Sequence, residues 1–329
     1  MFSSDISNKI QSSVFVVTGG AGFIGSNLVE QLIALKAKKV IVFDDLSTGS
    51  KENIQAFLGL SNVEFVNGSI TDLNDLKSIL NGVDVIFHLA ALGSVPRSID
   101  NPIATNNVNA NGFINVLAAA KDAGIKRIVY SSSSSVYGDN LDLPKTENNI
   151  GNPLSPYAVS KRSNELYAKV FSDVYNMDII GLRYFNVFGP KQSLTGPYSA
   201  VIPIFISNLL NNKDCFINGN GEISRDFTFV ENVVYANILS AFTVLKKDDD
   251  RLFNIAMEQQ VSLNELYQKV EEVIQSGRTV QYRDKRLGDI DNSKASIAKA
   301  QEFLGYDPQI GFDEGLKKTI AWYKQQIKN

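Results

Sequence analysis

The chain has 329 residues, 44% of them hydrophobic and 20% charged, and a net charge of −3. That length suits one large domain with a smaller one, and the acidic balance offers no footprint for nucleic acid or an anionic membrane surface. One cysteine, Cys215, and one histidine, His88, leave no disulfide and no Cys/His metal cluster to assemble, so no metal is expected and acid–base work falls to tyrosine, serine, lysine or carboxylates.

The start, MFSSDISNKIQSS, lacks the charged-then-apolar order of a signal peptide, and no apolar run reaches the roughly 18 residues of a membrane span. A cytoplasmic protein is expected. Six strand-like runs follow: VFVVT (14–18), KVIVF (39–43), VEFV (63–66), DVIFHLA (84–90), RIVYSS (127–132) and DIIGLRYF (178–185). Each is nearly continuously apolar, as strands are when helices cover both faces of a parallel sheet, and segments with helical spacing separate them. The pattern predicts an α/β fold with a doubly wound parallel sheet.

After residue 186 the texture changes to Gly-, Pro-, Asn- and Ser-rich segments, with helical patterns at 228–247, 262–275 and 312–328. The expected division gives 1–186 and about 227–256 to a dinucleotide-binding Rossmann domain. Residues about 187–226 and 257–329 go to a smaller mixed α/β substrate domain. A cleft between two lobes is the default ligand site.

In VFVVTGGAGFIGSNL, Gly19, Gly22 and Gly25 stand between a strand and a helix. Glycine there permits the tight turn, the approach of backbone to a pyrophosphate and close helix–sheet packing. Asp44 ends the second strand about 20 residues on, where a carboxylate accepts ribose hydroxyls and repels a 2′-phosphate, favouring NAD over NADP. A run such as YSSSSSVYG (130–138) is ordinarily a linker, but this one closes a strand at the edge where doubly wound sheets bind ligands. Further on, Tyr157 and Lys161 lie at i and i+4, on one face of a helix that Pro156 can start. A tyrosine is a poor base near neutrality unless positive charge stabilises its phenolate, and Lys161 supplies such charge.

The glycine spacing Gly-x-x-Gly-x-x-Gly with Tyr157 and Lys161 resembles the extended short-chain dehydrogenases/reductases. VTGGAGFIGSNL, HLAALGSVPRS, SSSSSVYG, SPYAVSK, LRYFNVFGP, NGEISRDF and RLGDIDNS resemble the family's UDP-sugar 4-epimerases, most closely the UDP-N-acetylglucosamine 4-epimerase subgroup. The resemblance implies Ser133, Tyr157 and Lys161 as the catalytic set, with Tyr157 as base and acid and Lys161 on the nicotinamide ribose. NAD then sits on Gly19, Gly22, Phe23, Ile24, Gly25, Asp44, Ser69, Ile70, Ala90 and Asn109. The UDP-sugar is held by Gly93, Ser94, Asn186, Ala200, Val201, Phe216, Arg225, Arg286, Asp289 and Ser293, with Phe216 on uracil and the two arginines on the diphosphate. Phe216 as plain core and Arg225 as a surface residue stay open alternatives.

In the epimerase mechanism the sugar is oxidised at carbon 4, the 4-keto intermediate turns over, and reduction from the other face returns NAD unchanged. Family 4,6-dehydratases resemble one another in an Asp-Glu pair after the catalytic hydroxyl, where this chain has Ser134 and Ser135. Where the family usually shows Gly-Asp-Ile near adenine, this chain has Gly68-Ser69-Ile70, a weaker acceptor. Epimerases restricted to UDP-glucose and UDP-galactose carry tyrosine where this chain has Ser293, which favours an N-acetylated sugar; Ser293 as N-cap of a helix over 294–304 is the bland alternative. Arg97 leaves a uronic acid form open. Helical segments 102–123 and 155–175 resemble the family's dimer-forming pair, so a homodimer is expected.

Overall fold

The computed structural model describes residues 2–194, 199–284 and 292–328. Strands β1 (Val14–Thr18), β2 (Lys39–Asp44), β3 (Val63–Asn67), β4 (Val85–His88), β5 (Arg127–Ser133) and β6 (Asp178–Tyr184) join Leu252–Ile255 in one seven-stranded sheet. Its order is β3, β2, β1, β4, β5, β6, then Leu252–Ile255, and every neighbouring pair is parallel. This is the doubly wound arrangement that the apolar runs predict.

Alternation along each strand sends side chains to two cores. Phe15, Val17, Val40, Val42, Phe87, Val129 and Ile180 pack on one face with helices Phe23–Ala34 and Val230–Phe242. Val16, Ile41, Phe43, Ile86, Ile128 and Ile179 pack on the other with Leu73–Ile79, Gly112–Asp122 and Pro156–Tyr175. A third core, around Phe188, Phe205, Phe227, Phe229, Tyr267 and Phe312, unites helices Val201–Leu210, Leu263–Ile274 and Phe312–Lys328. A parallel strand pair, Cys215–Asn218 with Val280–Arg283, borders it. Phe23 and Ile24, at the start of the glycine-loop helix, pack against this third core, and Ile24 also packs against the first.

Three elements depart from the sequence pattern. Thr228–Phe229 pairs with Val187–Phe188, so the helix expected over 228–247 runs only over Val230–Phe242 and stops where Thr243 turns extended. The segment 102–123 is broken into Pro102–Asn106, a π-helical turn Asn107–Asn111 and Gly112–Asp122. A helix with no sequence expectation, Ser4–Ser12, precedes β1; Ser3 caps it and Ile10 anchors it in the first core. Among the described residues no helix is long and apolar enough to cross a membrane.

Candidate active site

Strand order reverses at β1, between β4 on one side and β2 on the other, so the crevice beyond the strand ends opens there. A cleft of 940 Å³ occupies this place and runs from the glycine loop to the serine run and on to Asn186. Gly19 has φ +68° and donates its N–H to Phe43 O at 2.8 Å. A Cβ on Gly19 would lie 2.6 Å from Ala90 N, and one on Gly25 would lie 2.1 Å from Gly19 O. Both contacts are with backbone, so neither site tolerates a side chain. Gly22 is the N-cap of Phe23–Ala34 and provides no capping side chain, which leaves the helix N–H groups for an anion.

At the end of β2, Asp44 is 7% exposed and accepts Ala21 N–H at 2.9 Å and Leu46 N–H at 2.8 Å. Burial raises its carboxyl above the ordinary range although these bonds oppose it. Its carboxylate borders the cleft and is tied directly to the glycine loop. Together the side-chain-free cradle, the uncapped helix end and this carboxylate fit a dinucleotide. Ile70 and Ala90 also line the cleft. Ser69 does not; its hydroxyl donates to Asp45 Oδ2 at 3.2 Å, and it is Asp45 that faces the cleft.

Ser133 is the last residue of β5, and Ser134–Tyr137 turns away in a single 3₁₀ turn. Opposite it, Ser155 caps helix Pro156–Tyr175 through Ala158 N–H at 3.2 Å, with Pro156 in the first turn. This sets half-buried Tyr157 and Ser133 together in the cleft wall. Burial pushes the Tyr157 phenol above its usual range, and the Ser133 hydroxyl pulls it back in part. Lys161 is buried, 2.8 Å from Ser131 O and 3.1 Å from Ser131 Oγ, with its ammonium 5.9 Å from the Tyr157 ring centre. Burial lowers the Lys161 pKa to about 8, while Glu165 pulls it upward. Ser135 donates to Ser133 Oγ at 3.0 Å, and both Ser134 and Ser135 line the cleft. His88 is buried behind the loop, 2.9 Å from Thr18 Oγ1; burial, helped by the Lys161 charge, takes its pKa to about 3, so its ring is uncharged near neutrality.

The remaining sequence candidates divide. Phe23, Ile24, Gly93, Ser94 and Asn186 line the cleft. Ser94 takes φ +113° and accepts Arg97 N–H as N-cap of Val95–Asp100, a strained backbone held at the cleft wall. Asn109 lies behind that wall: its side chain accepts Leu92 N–H at 2.8 Å and donates to Leu92 O at 3.2 Å, so it shapes the loop carrying Ala90, Gly93 and Ser94. Ala200 caps Val201–Leu210, and neither Ala200 nor Val201 borders the cleft. Phe216 and Arg225 do not border it either. Phe216 is 38% exposed with the Arg283 guanidinium 3.4 Å from its ring centre, and Arg225 donates to Ser224 O at 2.9 Å. Arg286 and Asp289 lie outside the described residues. Ser293 caps no helix, because the helix begins at Ala298; instead its Oγ accepts Asp226 N–H at 3.3 Å and Asn186 Nδ2–H at 3.4 Å.

Sequence reasoning missed Tyr184, Lys191, Gln192, Trp322, Tyr323 and Gln326, all in the cleft wall. Tyr323 donates its hydroxyl to Gln192 O and so ties the C-terminal helix to the segment after β6. The sole tryptophan, on the apolar side of an amphipathic final helix, was the available signal.

A family model described as GDP-mannose 4,6 dehydratase matches residues 16–319. The UDP-glucose 4-epimerase of Mycolicibacterium smegmatis is 35% identical over 94% of this chain and 98% of its own length. Among solved structures, the UDP-N-acetylglucosamine 4-epimerase of Methanobrevibacter ruminantium, in complex with UDP-N-acetylmuramic acid, superposes with a TM-score of 0.91 at 41% identity, covering 96% of this chain and 99% of that one. The UDP-glucuronic acid 4-epimerase of Bacillus cereus, in complex with UDP-glucuronic acid and NAD, superposes with a TM-score of 0.87 at 28% identity, covering 95% and 99%. With the glycine cradle, Asp44 and the tyrosine–lysine helix in place, the chain belongs to the extended short-chain dehydrogenases/reductases as an NAD-dependent UDP-sugar 4-epimerase.

Proposed function

We propose that this epimerase interconverts UDP-N-acetylglucosamine and UDP-N-acetylgalactosamine. The observation that supports this sugar is the small residue Ser293 beside Asn186, with 3.4 Å between Ser293 Oγ and Asn186 Nδ2. Asn186 lines the cleft and Ser293 stands behind it; by the family resemblance a tyrosine at this position fills space next to the sugar ring that a serine leaves for an N-acetyl group. The Methanobrevibacter relative, which acts on UDP-N-acetylglucosamine, adds to it.

In this reading Tyr157 takes the proton from the sugar 4-hydroxyl and returns it on the opposite face, with the Ser133 hydroxyl holding the same oxygen. Bound NAD supplies a reversible hydride acceptor for carbon 4. Lys161, charged below about pH 8, stabilises the Tyr157 phenolate and orients the nicotinamide ribose. Ser134 and Ser135 stand where a dehydratase needs an acid and a base, and serine hydroxyls support proton shuttling to a bound oxygen without eliminating water.

Ser293→Tyr tests the sugar. Overpacking costs roughly 1–3 kcal/mol or more, so UDP-N-acetylgalactosamine turnover should fall at least about fivefold while UDP-galactose turnover is spared; equal loss of both contradicts the assignment. A uronic acid form of the sugar is the second reading, favoured by Arg97 in the cleft wall. Arg97→Gln separates the two, since only a carboxylate-bearing substrate should lose affinity. We also propose that the enzyme is a cytoplasmic homodimer formed through helix Pro156–Tyr175, whose outer face leaves Val159, Leu166, Val170 and Val174 at least half exposed.

A further inference from the structure

Helix Pro156–Tyr175 presents Tyr157, Lys161 and Glu165 on successive turns of one face. Glu165 is 2% exposed and accepts four hydrogen bonds: Ser132 Oγ at 2.7 Å, Arg162 Nη1 at 2.8 Å, and Arg183 Nε and Nη2 at 2.7 and 3.0 Å. Arg183, in β6 and 1% exposed, also donates to Tyr137 Oη at 3.0 Å and Glu147 O at 2.8 Å. Tyr137 donates in turn to Asn254 Oδ1 at 2.6 Å, and Asn254 donates to Lys145 O and Ser296 O at 3.0 and 3.1 Å. Only Ser132 of this network touches the cleft.

Stability does not call for such a network, because apolar groups of the same volume usually replace a buried ion pair without loss. Its placement has two consequences for the reaction. The Ser132 bond fixes the residue before Ser133, and a carboxylate stands one turn from the Lys161 ammonium. We propose that Glu165 is a positioning residue: it fixes the end of β5, hence Ser133, against Tyr157, and its charge keeps Lys161 protonated. The inference rests on Ser133, Tyr157 and Lys161 being the reacting set.

The groups around Lys161 bear this out. His88 from β4 and Tyr157 on its own helix interact with Lys161 and offer no negative charge near neutrality; Glu165 does, and Arg162 and Arg183 pair with Glu165 itself. Burial alone would raise the Glu165 carboxyl, but its bonds to Arg183, Ser132 and Arg162 hold it below the ordinary range. Without it, Arg183 and Arg162 lose their counter-charge and Lys161 loses the carboxylate that favours its charged form, and the lysine is the one able to shed its proton.

Glu165→Gln, measured as NAD-loaded protein on UDP-glucose or UDP-N-acetylglucosamine, whichever turns over faster, tests the proposal. The kcat should fall by on the order of tenfold or more, with KM and bound NAD within about twofold of wild type. The descending limb of the kcat–pH profile should move down by about one unit. Glu165→Asp should keep that limb in place, and Ser132→Ala, which leaves the charge, should lower kcat without moving it. If Glu165→Gln does not fold, Ser132→Ala, which breaks only the bond to the end of β5, carries the positioning test, and wild-type kcat in that variant overturns it. An unmoved limb in the folded variant, or a kcat loss matched by loss of NAD, overturns the proposal. Failure of the reacting set itself would show separately, as turnover retained by Tyr157→Phe.

Discussion

Tyr157 is a phenol whose surroundings in the free protein work against ionisation, since burial raises its pKa. In the proposed mechanism Tyr157 needs the opposite, and the charges of Lys161 and of the oxidised cofactor would favour the phenolate. Tyr157→Phe should therefore remove turnover by roughly 10²- to 10⁴-fold while UDP binding, measured by calorimetry, stays unchanged. Ser133→Ala should cost less, because water can replace a hydroxyl; greater damage from Ser134→Ala would show that another serine of the run faces the substrate. The pH sign follows from the lysine. Its pKa is lowered to about 8, so its positive charge is present below that value and lost above it, and kcat should decline as pH rises past about 8. A profile still climbing at pH 9.5 would contradict this role.

At the scale of elements, the glycine loop combines sequence and geometry most tightly. Gly25→Ala drives a Cβ to 2.1 Å from Gly19 O, a backbone atom that no rotamer change can move aside. The variant should release its NAD on gel filtration, read from nicotinamide absorbance; full retention would mean that the helix start adapts. The six continuous apolar runs and the Tyr157/Lys161 spacing were legible because both are local consequences of burial on two faces and of helical period. Other features depended on contacts distant in sequence. Asn109 reads as a cofactor ligand but spends its amide on Leu92, made possible by the π-helical turn at Asn107–Asn111. Ser293, read as a sugar-side residue with a helix cap as the bland alternative, caps no helix and meets Asn186 from 107 residues away. Trp322 and Tyr323 enter the cleft only because the final helix packs on the third core. The grip of Phe216 and Arg225 on a nucleotide stays a proposal, with both residues outside the described cleft wall.

At the scale of the molecule, one cleft runs from the glycine loop to Trp322 and Tyr323, and the helix that carries Tyr157 into its wall turns an apolar stripe outward. Leu166, Val170 and Val174 recur every four residues at 54%, 52% and 65% exposure, a spacing that keeps them on one face. Stripes of this kind mark interaction surfaces. Light scattering should give a dimer mass at micromolar concentration, and Leu166→Asp with Val170→Asp should give a monomer that still retains NAD. A wild-type monomer would leave the stripe to another partner.

The most direct test of the account is incubation of purified protein with UDP-N-acetylglucosamine and no added cofactor, followed by proton NMR of the sugar. The account predicts UDP-N-acetylgalactosamine accumulating to an equilibrium mixture, with NAD released only when the protein is denatured. A 4-keto-6-deoxy product, or turnover that appears only when NADP is supplied, would contradict it.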